Sequence, residues 1–121
     1  MAQIEKIDVA QVQTMINEIN EKEPAVAQAI ALAIRHIHGT YSDKYAKGQN
    51  KGIDTKGMLY DPEDGKGINT YQVARYLQRY VTKGSAKSNL LIDLFKILHY
   101  VIFEVTRRIK CGDVEFVEPN N

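Results

Sequence analysis

The sequence predicts an all-α, single-domain protein of four helices. Three observations lead to this class. The chain has 121 residues, a length that suits one domain with its own core. Apolar residues recur at helical spacing in four separate segments. The segment 39–68 is rich in glycine and lysine and lacks that spacing, so we expect a long loop between the second and third helices.

Composition limits the classes of function. The formal net charge is +1 and charged residues make up 26% of the chain, so no global field attracts nucleic acid or an anionic membrane. We therefore expect neither as a partner. The N-terminal residues lack the basic and apolar regions of a secretory signal. Ionisable residues interrupt the longest apolar segment, 90–109, which argues against a membrane span. The single cysteine, Cys111, excludes an intramolecular disulfide and favours a cytoplasmic location.

Local sequence signals mark where the first two helices begin and end. Asp8 and Gln11 form a capping-box-like pair that begins the first helix. This helix is expected to end near Lys22, because Pro24 disfavours the α conformation in the residue before it. Pro24 suits the first turn of the second helix, and Gly39 is expected to end that helix.

The third and fourth helices form a predicted hairpin. Asn69 is expected to cap the third helix, which runs to about Thr82. Ser88 is expected to cap the fourth helix, which runs to about Lys110. A short turn joins the two, so they are expected to pack antiparallel.

The fourth helix is apolar over most of its circumference, which is typical of a helix buried on all sides. Three shorter helices do not offer enough surface to cover it, so we expect a homo-oligomer, with a dimer as the simplest closed form. Gly112 follows as the C-terminal glycine of this helix. The tail, 113–121, is expected either to add an edge strand or to stay irregular.

Basic residues accumulate in the hairpin. Arg75, Arg79 and Lys83 follow one another at spacings of four. Antiparallel helices rise equally per residue, so Arg79 is expected opposite Asp93, and Arg75 opposite Lys96. Asp93 neutralises only one of these cations. The remaining positive charge favours a phosphate or carboxylate ligand, to which arginine offers two parallel hydrogen bonds.

The same residues also allow a purely structural interpretation. Arg79 and Asp93 fit an interhelical ion pair equally well, and Arg75 and Lys83 then lie on the surface in contact with water. Tyr76 and Tyr80 are placed to stack on a base, but they also lie on the apolar stripe of the third helix and fit a core. Both interpretations stay open at the level of sequence.

The hairpin segment, 69–100, also resembles a small phage-encoded helical family. The resemblance covers about a quarter of the chain and rests on Asn69, Ala74-Arg75-Tyr76-Leu77, Arg79, Lys83-Gly84, Asp93-Leu94, Lys96 and Tyr100. Some members of that family are described as nucleotide kinases that act on deoxynucleoside monophosphates without a P-loop. The resemblance implies a protein that binds a nucleotide or a similar phosphorylated ligand.

We therefore predict a ligand site of seven residues, in which Arg75, Arg79, Lys83 and Lys96 hold phosphate, Asp93 orients an arginine, and His99 and Tyr100 contact base or sugar. No catalytic residue, metal ligand or bound cofactor is predicted, and magnesium would accompany ATP only in a kinase-like reaction. Two alternatives stay open. One is a non-catalytic protein that sequesters a nucleotide, and the other is a helical module that binds or inhibits another protein through its apolar fourth helix.

Other motifs of nucleotide or metal chemistry are incomplete. The GxxxxGK[ST] pattern of a P-loop is absent. The DPEDG turn at 61–65 departs from an EF-hand in the position of its glycine. His36 and His38 are two residues apart on a helix and point in different directions, so they do not predict a zinc site.

Overall fold

A computed structural model describes residues 2–40, 55–82 and 87–119 of the chain. Within these residues the protein has five helices and two strands. In chain order these are β1 (Ala2–Glu5), α1 (Val9–Lys22), α2 (Pro24–Thr40), α3 (Thr55–Tyr60), α4 (Gly65–Thr82), α5 (Lys87–Lys110) and β2 (Val114–Val117). The protein is mostly helical, as the sequence predicts. The predicted count of four helices is corrected by α3, and the all-α class is corrected by the small two-stranded sheet.

The first two helices begin and end close to their predicted residues. Asp8 Oδ1 accepts a hydrogen bond from the Ala10 amide at 3.0 Å, and Gln11 Oε1 accepts one from the Asp8 amide at 3.4 Å. This is the predicted capping box. Pro24 opens α2 as expected, and α2 ends at Thr40, one residue after the predicted stop.

The predicted loop 39–68 is partly helical. Its residues 41–54 lie outside the described part of the chain, but α3 and the first turn of α4 fall within the remainder. Asp61 Oδ1 accepts from the amides of Glu63 and Asp64 at 2.9 and 2.8 Å, and this turn leads directly into α4. The helix therefore begins at Gly65, and the prediction that Asn69 caps it is wrong.

The last helix, α5, begins one residue before the predicted cap at Ser88 and ends in a Schellman motif. Gly112 has a φ of +82°, its amide donates to the Ile109 carbonyl, and the Asp113 amide donates to the Arg108 carbonyl. Gly112 therefore ends α5 as predicted. Of the two outcomes left open for the tail, the strand is the one observed.

The two strands form a parallel pair at one edge of the molecule. Ala2 lies opposite Val114 and Glu5 opposite Val117, so residues close to the two ends of the sequence are neighbours in space. Gln3 Nε2 also donates to Glu115 Oε2 at 3.2 Å across the pair. The sequence analysis did not predict β1.

Helices α4 and α5 make the most extensive helix–helix contact, α3 packs on both, and α2 reaches α5. The buried apolar residues of the described chain are few: Ala27, Ala33, Leu59 and Phe103. Many large apolar side chains are exposed instead, and several of these lie on α5. The described helices include none with the length and apolar character that crossing a bilayer requires.

Candidate functional site

The predicted alignment of the hairpin is confirmed by one ion pair. Arg79 Nε on α4 lies 3.4 Å from Asp93 Oδ2 on α5. Asp93 is 2% exposed, whereas the Arg79 side chain is 43% exposed. Oδ2 of Asp93 is buried and receives no hydrogen bond in addition to this ion pair. Arg79 is therefore the group that compensates the buried charge of Asp93.

One turn away, two cations lie against a tyrosine ring. The guanidinium carbon of Arg75 is 5.4 Å from the ring centre of Tyr76, and Lys96 Nζ is 5.0 Å from it. Tyr76 stacks on Tyr100 of α5, with ring centres 6.1 Å apart and planes 18° apart. We call Arg75, Tyr76, Lys96 and Tyr100 the tyrosine–cation cluster. The predicted opposition of Arg75 and Lys96 thus brings both cations to one ring.

The two cations of the tyrosine–cation cluster have no acidic partner within the described part of the chain. Arg75 donates a long hydrogen bond of 3.4 Å to the neutral amide of Gln72. Among the described residues, no carboxylate forms an ion pair with Arg75 or Lys96. The charge of Lys96 also reaches α2, where burial and then this charge lower the pKa of His36. Two cations beside two aromatic rings form a surface that attracts anions with a planar group attached.

His99, like Asp93, is a predicted site residue that the structure buries, and it is 3% exposed. Its ring stacks on Phe103 with centres 4.2 Å apart and meets the ring of His36 edge-on at 6.0 Å. Burial, followed by the nearby His36, lowers the pKa of His99 to about 4. At neutral pH His99 is therefore an uncharged interior group that leaves little surface to a ligand. Lys83, the last predicted residue, lies outside the described part of the chain.

A buried polar network, which the sequence analysis missed, joins α3, α4 and α5. Asn69 is fully buried, and its Nδ2 donates to the Leu59 carbonyl at 3.0 Å and to Glu104 Oε1 at 3.1 Å. Arg107 binds both carboxylate oxygens of Glu104 at 2.8 Å and donates to the Pro62 carbonyl at 3.1 Å. This geometry ties the turn before α4 to the C-terminal half of α5.

The close contacts of the buried network shift the pKa values of its charged groups and leave no room for a side chain at Gly65. The hydrogen bonds from Arg107 lower the pKa of Glu104, and the same pairing raises the pKa of Arg107. A Cβ at Gly65 would lie 2.6 Å from the Arg107 side chain and 2.6 Å from the Leu59 carbonyl oxygen, so only glycine fits there. The spacing of Glu104 and Arg107, three residues apart on one helix, is the local signal that could have indicated this pair. The partners in α3 and α4 are too distant in sequence to be inferred from spacing.

The outer face of the hairpin holds a groove of about 480 Å³. Its walls are mainly apolar, from Val73, Ala74, Leu77, Val101 and Val105. One end is polar, where Asn69 and Glu104 of the buried network reach the groove beside Arg108. This groove does not include the tyrosine–cation cluster.

The described residues contain no group of three or more His, Cys, Asp or Glu side chains arranged to hold a metal ion. Comparisons with models of known protein families, with curated proteins and with solved structures found no match to this chain. The resemblance of 69–100 to a phage-encoded family consequently stays a prediction.

Proposed function

We propose that this protein binds a nucleotide, or another small phosphorylated ligand, at the tyrosine–cation cluster. The observation that carries the proposal is that Arg75 of α4 and Lys96 of α5 lie 5.4 and 5.0 Å from the same tyrosine ring. Neither cation has a carboxylate partner among the described residues. A ligand that is anionic at one end and aromatic at the other satisfies both features of the cluster.

The chemistry divides between the two cations and the two rings. Arg75 offers a planar guanidinium that fits two oxygens of one phosphate, and Lys96 offers a compact charge beside it. The rings of Tyr76 and Tyr100 offer a surface for a base, since stacking on an aromatic side chain stabilises a bound base by roughly 1–3 kcal/mol. Arg79, held by Asp93, lies one turn beyond Arg75 and extends the positive surface.

A finer form of the proposal is a kinase-like reaction on a deoxynucleoside monophosphate, which rests on the resemblance of 69–100 to the phage-encoded family. Catalysis would then consist of positioning and charge stabilisation, with magnesium entering alongside ATP. The non-catalytic form is a protein that sequesters the nucleotide. In either form we place the protein in the cytoplasm, that of the host cell if it is phage-encoded.

The first experiment is a thermal shift assay with mono-, tri- and cyclic nucleotides and with inorganic phosphate. A ligand present at a hundred times its dissociation constant stabilises the folded state by about 2.7 kcal/mol, which raises the Tm by several degrees. We expect at least one nucleotide to raise the Tm of the wild type. The shift should be smaller in the double variant Arg75→Ala, Lys96→Ala.

Arg108→Ala is the matched control for that assay. Arg108 is an exposed arginine of the same hairpin that pairs with Asp113 at 3.3 Å, away from the tyrosine–cation cluster. Its removal should leave the nucleotide shift intact. If no nucleotide raises the wild-type Tm, or if the double variant keeps the full shift, the proposal fails.

A second assay separates the two forms of the proposal. Phosphate transfer from ATP to deoxynucleoside monophosphates is measured for the wild type and for Arg79→Ala. Turnover that depends on Arg79 supports the kinase-like form. Binding without turnover supports sequestration, and turnover that survives Arg79→Ala removes this residue from a catalytic role.

A second candidate function is a helical interaction module that associates through exposed apolar surface, either with itself as a homo-oligomer or with another protein. The observation that favours it is the number of large apolar side chains left exposed on α5, including Leu94 and Leu98 at 39% and 42%. A protein that shows no nucleotide-dependent shift but associates in solution would fit this second function.

A further inference from the structure

Some of the exposed residues of the hairpin form one stripe on each helix. On α5 the stripe follows alternating spacings of three and four, and on α4 a stripe of small and apolar residues follows the same spacing, whereas exposed Ile92 and Ile102 lie beside it. We call this set the α4/α5 apolar face: Thr70, Ala74, Leu77 and Val81 on α4, with Leu91, Leu94, Leu98, Val101 and Val105 on α5. The large members are between 39% and 71% exposed. Alternating spacings of three and four place residues along a seam that packs against another helix.

The residues of the face on α4 and those on α5 also lie at matching positions along the helix axes. Because antiparallel helices rise equally per residue, Val81 lies level with Leu91, and Leu77 lies level with Leu94. Ala74 and Thr70 continue the series against Leu98 and Val101. The face therefore consists of four layers of paired side chains without a charged residue among them, which is the pattern of one half of a four-helix bundle.

We propose that the α4/α5 apolar face is a dimerisation surface and that its occupant is the same face of a second copy of this chain. The two ends of the α4/α5 apolar face differ in shape, and this difference favours a second copy as its occupant. At one end of the face lies the groove of about 480 Å³ beside Ala74, Val101 and Val105. At the other end Val81, at 71% exposure, is the most exposed large apolar side chain of the hairpin, and Leu91 is 47% exposed.

Two-fold symmetry brings these two ends together. An axis that runs across the helices lays α5 antiparallel on α5 of the second copy and α4 antiparallel on α4. The most exposed end of each copy then packs on the groove of the other, and the contact is self-complementary as a two-fold interface requires. Near the axis, Leu98 lies against Leu98 of the second copy.

The size of the face allows a small interface between two copies. From Leu91 to Val105 it is about 21 Å long, and the two helices make it about 20 Å wide. The flat outline is about 420 Å², about half of the roughly 800 Å² per partner of a standard interface, and interdigitating side chains add to it, so we expect a dimer that dissociates on dilution. The helical seams of the face fit a helical partner, and the chain itself supplies one with the same spacing.

This inference rests on the second candidate function, to which it assigns a face and a partner, and it does not depend on the proposed ligand function. Lys96 of the tyrosine–cation cluster is two residues from both Leu94 and Leu98, which directs it to the opposite side of α5. Arg79 is likewise two residues from both Leu77 and Val81 on α4. Its partner Asp93 is buried, and neither residue belongs to the α4/α5 apolar face. A dimer formed through this face leaves the tyrosine–cation cluster open.

The test is the molar mass in solution, measured by sedimentation equilibrium over a range of concentrations. We expect a dimer for the wild type. Leu98→Glu places one charge from each copy near the axis, so we expect the dimer dissociation constant to rise by about a hundredfold or more. The control is Ile34→Glu on α2, because Ile34 is 49% exposed and Leu98 is 42% exposed. This control should remain dimeric, and circular dichroism verifies that both variants are helical.

A cross-link tests the register and avoids the introduction of a charge. In a Cys111→Ser background, Leu98→Cys should form a disulfide-linked dimer under mild oxidation, because two-fold symmetry brings the Cα atoms of this position close together. Ile34→Cys in the same background should not. The proposal is overturned by a wild type that is monomeric at all concentrations, which would leave the face to another protein. It is also overturned if Leu98→Glu remains as dimeric as the wild type, if Ile34→Glu weakens the dimer as much as Leu98→Glu does, or if no cross-link forms at position 98.

Discussion

Replacing Asn69 by aspartate tests the buried network with almost no change in shape. The substitution removes the amide group that donates to the Leu59 carbonyl at 3.0 Å and to Glu104 Oε1 at 3.1 Å. The neutral hydrogen bond contributes about 1 kcal/mol and the one to the carboxylate about 2 kcal/mol. If both carboxylates stayed ionised, their repulsion at this separation would add about 5 kcal/mol at an effective dielectric constant of 20.

The protein has a less costly response, which is to protonate the new carboxyl group. With an ordinary pKa near 3.9, this protonation costs about 4 kcal/mol at pH 7. The protonated group can then donate one of the two lost hydrogen bonds. We therefore expect Asn69→Asp to lower the free energy of unfolding by about 4–6 kcal/mol at pH 7.

The sign of the pH dependence follows from the same response. The folded-state pKa of the new carboxyl lies above its unfolded value, so the folded state binds the extra proton and gains stability as the pH falls. Between pH 7 and pH 5 the deficit relative to the wild type should shrink by about 2.7 kcal/mol, which is about 1.36 kcal/mol per pH unit.

Urea denaturation followed by circular dichroism at pH 7, 6 and 5 measures both quantities. Asn17→Asp is the matched control, because Asn17 is an exposed helical asparagine whose Oδ1 accepts a bond from Gln13. The control should stay within about 0.5 kcal/mol of the wild type. If Asn69→Asp lowers the free energy of unfolding by less than about 1 kcal/mol at pH 7, or by an amount that does not change with pH, Asn69 does not hold the buried network as described.

Three further predictions concern packing and titration. Gly65→Ala places a Cβ 2.6 Å from a backbone carbonyl oxygen and should destabilise by about 1–3 kcal/mol, whereas Gly67→Ala meets nothing within 4 Å and should be neutral or stabilising in the same urea titration. Phe103→Ala removes a ring that is 2% exposed and should lower the free energy of unfolding by about 3–5 kcal/mol. Phe116 is 48% exposed, so Phe116→Ala should lower it by only about 1 kcal/mol. Equal losses of stability in the two variants would contradict the assignment of Phe103 to the core. The folded protein lowers the pKa of His99 to about 4, so as the pH drops the imidazole is protonated in the unfolded state before it is protonated in the folded state. The wild-type Tm should therefore fall between about pH 6.5 and pH 4. A fall of the same size in His99→Gln would exclude His99 as the cause of this pH dependence.

Local signals in the sequence were sufficient for helix ends and for one contact between helices. The Asp8 capping box and Gly112 rest on interactions within a few residues, which spacing reveals. The pairing of Arg79 with Asp93 follows from the equal rise of two helices on either side of a short turn. These features needed only helix geometry and the position of the turn.

The features that the sequence did not reveal depend on distant partners. Asn69 has the chemistry of a helix cap, but α4 begins four residues earlier after the Asp61 turn, and the Asn69 side chain binds Glu104, 35 residues away. Strand β1 was missed because its partner lies at the other end of the sequence, as the bond between Gln3 and Glu115 shows. Spacing does not predict such contacts, because the fold alone brings the partners together.

The most direct test of the central claim is calorimetric titration of the wild type with the nucleotide that gives the largest thermal shift. We expect saturable binding with one site per chain. We also expect that Lys96→Met, which keeps the length of the side chain and removes its charge, weakens the affinity by about tenfold to a hundredfold. An unchanged affinity in Lys96→Met, or heats no larger than those of dilution for the wild type, would contradict the claim that the tyrosine–cation cluster binds a phosphorylated ligand.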